Sequence, residues 1–238
     1  MPMTEALDPA TLDAQRVIVV APHPDDEALG CGGLLWHLAR RGRLVHVLFV
    51  TDGGASHLHS PTWPRARLAA TREAEAERSL HELGLGAAPR TFLRLPDADL
   101  PPHGSPGDAA PLQTVTALVR TVEPDLVLLP WRRDPHRDHR DAWSLVTRAL
   151  SEAGMAPATL EYAIWLDEIG APDDHPRPGE MERVGYAIGD ALPAKRRAVA
   201  AHQSQCGALI HDDPTAFCLT EATIERLTGP VEFYWRPL

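Results

Sequence analysis

What the sequence lacks narrows its class. No stretch approaches the roughly 18 consecutive apolar residues that span a bilayer, so no membrane span is expected. The start, from Met1 to Asp8, is polar and acidic without an apolar segment, so no signal peptide is expected and the chain reads as cytoplasmic. Cysteine is scarce: Cys31, Cys206 and Cys218 are odd in number and none forms a C-x-x-C pair. That excludes a disulfide framework or a cysteine metal site and fits reduced thiols used as small core residues. Basic clusters are also few. With a net charge of −10, the chain offers no face for a nucleic acid, and its densest cluster, Lys195-Arg196-Arg197, reads as a solvated helix face. There is no internal repeat, low-complexity tract or linker. The 238 residues, 44% hydrophobic and 24% charged, therefore read as a single domain, with a core over about 16–205 and a C-terminal elaboration over 206–238.

What is present is an alternation of strand and helix signals. Apolar strands are expected over 16–21, 44–51, 91–95 and 125–130, with helices over 29–40, 65–83, 112–122 and 138–149. Gly42 and Gly84 stand as helix stops. Pro, Gly and small polar residues over 101–111 predict a loop. Two more strands are expected over 159–166 and 183–188, separated by the Pro-rich stretch 171–179, then helices near 191–202 and 220–226. Near-continuous apolar strands alternating with helices predict an α/β fold, one Rossmann-like domain with a mostly parallel sheet flanked by helices.

Two clusters carry the chemistry. Ala21-Pro22-His23-Pro24-Asp25-Asp26-Glu27 follows the run Val17-Ile18-Val19-Val20, and Asp134-Pro135-His136-Arg137-Asp138-His139 follows Leu126-Val127-Leu128-Leu129-Pro130. In open α/β sheets the ligand crevice lies outside the carboxyl ends of the strands, where both clusters fall. His23, Asp26 and His139 together give two imidazoles and a carboxylate, the donor set of a catalytic zinc site with one position open to water. Zinc brings the pKa of its water to about 7. Asp25, leaving the backbone at a different angle from Asp26, is placed as the general base that takes that water's proton and returns it to a leaving amine. His136, if protonated, would stabilise the oxyanion of a tetrahedral intermediate. Asp138 would orient and charge-stabilise His136, although spacing alone does not fix which imidazole it serves. The reaction class is metal-assisted hydrolysis of an amide or ester.

The stretch A-P-H-P-D-D-E-A-L-G-C-G-G behind the first strand resembles the signature of the LmbE-like, PIG-L family of zinc-dependent N-acetyl-sugar deacetylases, and D-P-H-R-D-H resembles that family's second motif. Thr51-Asp52-Gly53-Gly54 and the stretch from Lys195 to His202-Gln203-Ser204-Gln205 agree with it. The resemblance implies zinc on His23, Asp26 and His139, Asp25 as base and His136 as the oxyanion-stabilising histidine. It also implies Arg72 and Asp97 as holders of substrate hydroxyls, and a small N-acetylated sugar or amino-sugar conjugate as substrate. Pro22, and Arg137 where many relatives have proline, depart from the pattern without removing a ligand. Iron or cobalt also suits a two-histidine, one-aspartate site.

Each reading has a plainer rival. Asp25-Asp26-Glu27 can be acids at a helix's positive end, and Arg72, among Glu73, Glu75, Glu77 and Arg78, can be a surface ion-pair residue. Gly30-Cys31-Gly32-Gly33 lacks phosphate-loop spacing and fits close helix packing. Trp131 is either a stacking platform for a sugar or a core residue. His202-Gln203-Ser204-Gln205 is either an ordinary helix end or a structural support near the site. His57, His59 and His103 fall in loops flanking the crevice. Loops 55–64, 97–111 and 167–182 are expected to set specificity. Two other functions stand beside the deacetylase: a zinc amidase or esterase on a non-sugar acyl compound, and a binding module without turnover, which would have no need of Asp25.

Overall fold

The apolar runs become the strands of one sheet, seen in a computed structural model that describes residues 6–238. Of the stretch from Met1 to Asp8, where no signal peptide is expected, the first five residues lie outside those described. The strands are β1 (Arg16–Ala21), β2 (Leu44–Thr51), β3 (Arg90–Leu95), β4 (Leu126–Pro130), β5 (Ala158–Tyr162), β6 (Met181–Ala187) and β7 (Val231–Pro237), in the order β3-β2-β1-β4-β5-β7-β6. β1 to β5 run parallel, and β7 lies antiparallel between β5 and β6. The expected mostly parallel α/β sheet is present.

The strands read as unbroken apolar runs because both faces of the sheet are covered. Val17, Val19 and Ala21 of β1 point into one core with Leu34, Leu35 and Leu38, while Ile18 and Val20 point into another with Val146 and Ala149. The first core is closed by α1 (Asp26–Arg40), α6 (Leu192–Ala200) and α7 (Glu221–Leu227), with α2 (Arg65–Glu82) packed beside α6. The second is closed by α3 (Ala109–Val122) and α4 (Arg137–Ala153). A short α5 (Leu166–Ile169) follows β5. The glycines of α1 serve packing, as expected: a Cβ on Gly30 would overlap the Tyr162 ring, and one on Gly33 would overlap Ile188.

Three expectations change. The strand drawn over 159–166 ends at Tyr162, because Trp165 and Leu166 enter α5. The elaboration over 206–238 supplies β7, a full member of the sheet with partners on both sides. Lys195, the sequence's single lysine, is not solvated: it is fully buried, and its Nζ donates to Glu232 Oε1 at 2.6 Å. Glu232 sits on β7, so the reading of the Lys195 cluster and the omission of that strand share one cause.

The order β3-β2-β1-β4-β5 reverses direction between β1 and β4, and such a switch point opens a crevice at the strands' carboxyl ends. The two histidine clusters leave the sheet on either side of it.

Candidate active site

The chain from β1 turns at Pro22 and enters α1 at Asp26, while the chain from β4 turns and enters α4 at Arg137. These two turns bring together residues more than a hundred positions apart. Asp26 Oδ2 lies 3.2 Å from His23 Nδ1 and 3.4 Å from His139 Nε2. The three ligand atoms of His23, Asp26 and His139 fall within 4.8 Å of one another, and all three residues are buried. His139 is wholly buried, yet neither ring nitrogen has a hydrogen-bond partner. An orphaned buried polar group costs roughly 1–3 kcal/mol. A divalent ion at Nε2 would remove that cost, so the donor set and its burial fit a metal. A second group of His23, His136 and Asp138 meets the same spacing and shares His23 with the first.

Carboxylates back the imidazoles. His23 Nε2 meets Asp138 Oδ2 at 3.1 Å and Asp97 Oδ1 at 3.3 Å, and Asp134 Oδ2 lies 3.7 Å from His139 Nδ1. Carboxylates behind ligand histidines fix ring orientation and tautomer. Asp138 thus serves His23 through its carboxylate, of the two imidazoles that spacing left open. It touches His136 only through its backbone N–H, which donates to His136 Nδ1 at 3.2 Å. That bond caps α4 and leaves Nε2 of a neutral His136 to carry the proton. Ala98 holds Asp138 from the other side: it has φ +62, a left-handed conformation rare outside glycine, and donates its N–H to Oδ2 at 2.8 Å.

Asp25 stands beside the group with a different partner. The Arg72 guanidinium lies 3.0 Å from its Oδ2 and also donates to the carbonyls of Gly53 at 2.9 Å and Pro24 at 3.3 Å. Arg72 is 3% exposed, so its reading as a surface ion-pair residue is excluded. Gly53 has φ +63, and a Cβ there would press on Arg72, so glycine is needed for both the turn and the arginine's seat.

Charges in the group are strongly biased. Burial pushes Asp25 up to about 6, with Arg72 pulling it down and Asp26 pushing it further up. Burial would also raise Asp26, but His139 and His23 outweigh it and hold that carboxyl well below its usual range. For His23 burial favours the neutral ring, and the bonds to Asp138, Asp26 and Asp97 overcome it, so its pKa rises. His136 is lowered to about 4 by burial and by the neighbouring His23 and His139. That direction favours the neutral ring, whose Nε2 carries the proton while Nδ1 accepts from the Asp138 N–H.

These residues line a cavity of about 480 Å³, within the range that holds small-molecule ligands. His23, Asp25, Asp26, Arg72, Asp97 and His136 all border it. Ser56, Gln205, Trp165 and Phe217 do so as well, none of them singled out from sequence as pocket residues. Gln205 Nε2 donates to Ser56 Oγ at 3.1 Å, and Ser204 donates to the buried Glu75, so the His202-Gln203-Ser204-Gln205 stretch supports the site. Trp131 is a core residue, fully buried, with its Nε1 donating to the Asp174 carbonyl. Arg137 stays at the surface, paired with Asp141 and bonded to the Leu100 carbonyl.

Comparison with known proteins comes to the same ground. The family profile described as PIG-L, GlcNAc-PI de-N-acetylase, matches residues 18–150. The chain is 30% identical over 209 residues to a diacetylchitobiose deacetylase of Thermococcus kodakarensis, covering 81% of this chain and 71% of that protein. Among solved structures it resembles a deacetylase of the teicoplanin biosynthetic pathway, with a TM-score of 0.70 at 19% identity over 94% of this chain and 98% of that one. It resembles the 4-carboxy-2-hydroxymuconate hydratase GalB of Pseudomonas putida KT2440 about as well, with a TM-score of 0.69 at 19% identity over 94% and 96% of the two chains. At that identity the structural likeness establishes the fold alone, and a fold by itself does not fix a reaction.

Proposed function

The chain belongs to the GlcNAc-PI de-N-acetylase (PIG-L) family, and from that premise we propose that it removes the acetyl group from an N-acetylated sugar or amino-sugar conjugate by metal-assisted hydrolysis. It is an N-deacetylase, as its relatives are named. The observation that carries the reading is the buried, partnerless His139 ring facing Asp26 and His23 with Asp25 alongside. His23, Asp26 and His139 would hold one zinc ion, with iron or cobalt as the other candidates for that donor set. Such an ion supplies Lewis acidity and a hydroxide nucleophile at neutral pH.

The chain's own residues do the rest. Asp25 accepts the proton of the attacking water and hands it to the departing amine, and Arg72 holds that carboxylate in place at 3.0 Å. His136 donates from Nε2 to the oxyanion, a contact typically worth about 10²–10³ in rate. Asp138 keeps His23 aimed at the ion's position, and Asp97 shares that task from the cavity wall. Arg72 and Asp97 both border the cavity, where they meet substrate hydroxyls. No helix among the described residues is long and apolar enough to cross a membrane. The unpaired cysteines support a reducing, cytoplasmic setting.

The test is acetate and amine release from a panel of N-acetylglucosamine derivatives and simple amides, with native protein and Asp25→Ala, each metal-stripped and reloaded with zinc, iron or cobalt. Release that needs both a metal and Asp25 is expected. Stoichiometric metal with release only from non-sugar amides would move the substrate to another acyl class, and absence of both metal and release would refute the reading.

A further inference from the structure

We infer that the substrate carries an apolar aglycone, an aryl or alkyl group on the sugar, which seats on a shelf built from Trp165, Ile169, Phe217 and Leu219. This inference rests on the deacetylase reading and extends it to the group beyond the sugar.

The cavity is chemically divided by depth. Of the residues bordering it, His23, Asp25, Asp26, Arg72 and Asp97 are all less than a tenth exposed and His136 is half-buried, whereas Ile169 is 66% and Phe217 42% exposed, so these two carry apolar surface out to the rim beyond the half-buried Trp165 and the buried Leu219. Exposed apolar side chains that share one cavity with the buried polar groups Arg72, Asp97 and Gln205 fit a molecule whose polar ring lies inside and whose apolar part lies outside. The Trp165 and Phe217 rings meet edge to face, with centroids 5.4 Å apart at 85°. In that pair Phe217 still keeps aromatic surface open to solvent.

The shelf is also built in register with the site. Asp134, whose Oδ2 backs His139, accepts the backbone N–H of Trp165 at 3.2 Å through the same oxygen. Phe217 donates its N–H to the carbonyl of Ser56 at 3.0 Å, and Leu219 donates to the carbonyl of Gln205 at 2.8 Å. Glu168 of α5 is held by Thr223 and Arg226, each at 3.0 Å. One segment of the shelf is thus tied to Asp134 behind His139 and the other to Ser56 and Gln205 on the cavity wall, and both come from chain regions outside the two histidine clusters. Solvent-exposed aromatic and aliphatic side chains anchored in this way mark a binding surface.

The experiment compares kcat/KM for free N-acetylglucosamine with its phenyl and hexyl glycosides and with N-hexanoylglucosamine, using zinc-loaded protein. The glycosides should exceed the free sugar by about tenfold or more, equivalent to about 1.4 kcal/mol, mainly through KM. Trp165→Ala and Ile169→Ser should each bring that ratio down toward one. Ile169 is largely exposed, so its substitution tests the shelf without burdening the fold. In metal-free protein, phenyl glucosaminide should bind more tightly than glucosamine, read by calorimetry, and this difference should vanish in Trp165→Ala. A glycoside ratio near one in native protein would overturn the inference while leaving the deacetylase reading intact. So would a ratio unchanged in both variants, or a preference confined to the N-hexanoyl compound. No acetate from any sugar would remove both.

Discussion

Replacing Glu232 by glutamine should cost the protein about 4 kcal/mol, more than most surface changes of one atom. All four groups that meet this carboxylate are donors: Lys195 Nζ at 2.6 Å, the backbone N–H of Gly33 at 2.6 Å and of Leu34 at 2.8 Å, and the Tyr234 hydroxyl at 2.9 Å. A glutamine amide must turn its own NH₂ toward two of them. The Lys195 ammonium, fully buried, is then left without a counter-charge. Breaking a buried pair by removing one partner costs roughly 3–5 kcal/mol. Urea unfolding at pH 7, compared with native protein, measures the loss. A midpoint in heat lower by roughly 8–16 °C should accompany it. A Glu232→Gln protein within about 1 kcal/mol of native would refute the account. Adding Lys195→Met to Glu232→Gln should recover part of the loss.

Three further outcomes are expected. Asp134→Asn should weaken metal affinity by about 10–100-fold in a chelator competition, since it removes the charge behind His139 without touching a ligand. His136→Ala should lower acetate release by about 10²–10³ while metal stoichiometry stays at one, and an equal loss of metal would place His136 among the ligands. Gly30→Ala should destabilise the fold by about 1–3 kcal/mol in urea, because its Cβ meets the buried Tyr162 ring; an unchanged midpoint would show that the ring can retreat.

The sheet and the convergence of His23, Asp26 and His139 were legible from sequence for one reason. β1 and β4 are covered on both faces and so are written as unbroken apolar runs, and the functional residues follow directly at their carboxyl ends. β7 was hidden because Val231-Glu232-Phe233-Tyr234-Trp235-Arg236-Pro237 mixes buried Glu232 and Tyr234 with exposed Phe233 and Arg236, and ends in proline. Sequence periodicity cannot reveal that a glutamate points inward when its partner, Lys195, arrives from α6. The orientation of Asp138 was equally out of reach. Whether it faces His23 or His136 depends on how α4 stands against the end of β1, a contact made across 115 positions of chain. Whether Trp131 stacks on a ligand or packs in the core had the same difficulty. Trp131 adjoins the motif in sequence, but it turns under β5 and α5, while Trp165 reaches the cavity from α5's start.

The pairing of β1 with β4, Val17 against Leu126 through Val19 against Leu128, has a consequence for how the protein is made. His23 and Asp26 emerge early from a ribosome, but their third companion is His139, beyond the whole β2-β3-α3 segment. A nascent chain cannot assemble the trio until β4 has docked beside β1, skipping over two strands already laid down on the other side. Uptake of an ion by this trio would then be a timestamp for that docking step, and fragments ending before residue 139 would lack it however well their own strands pair.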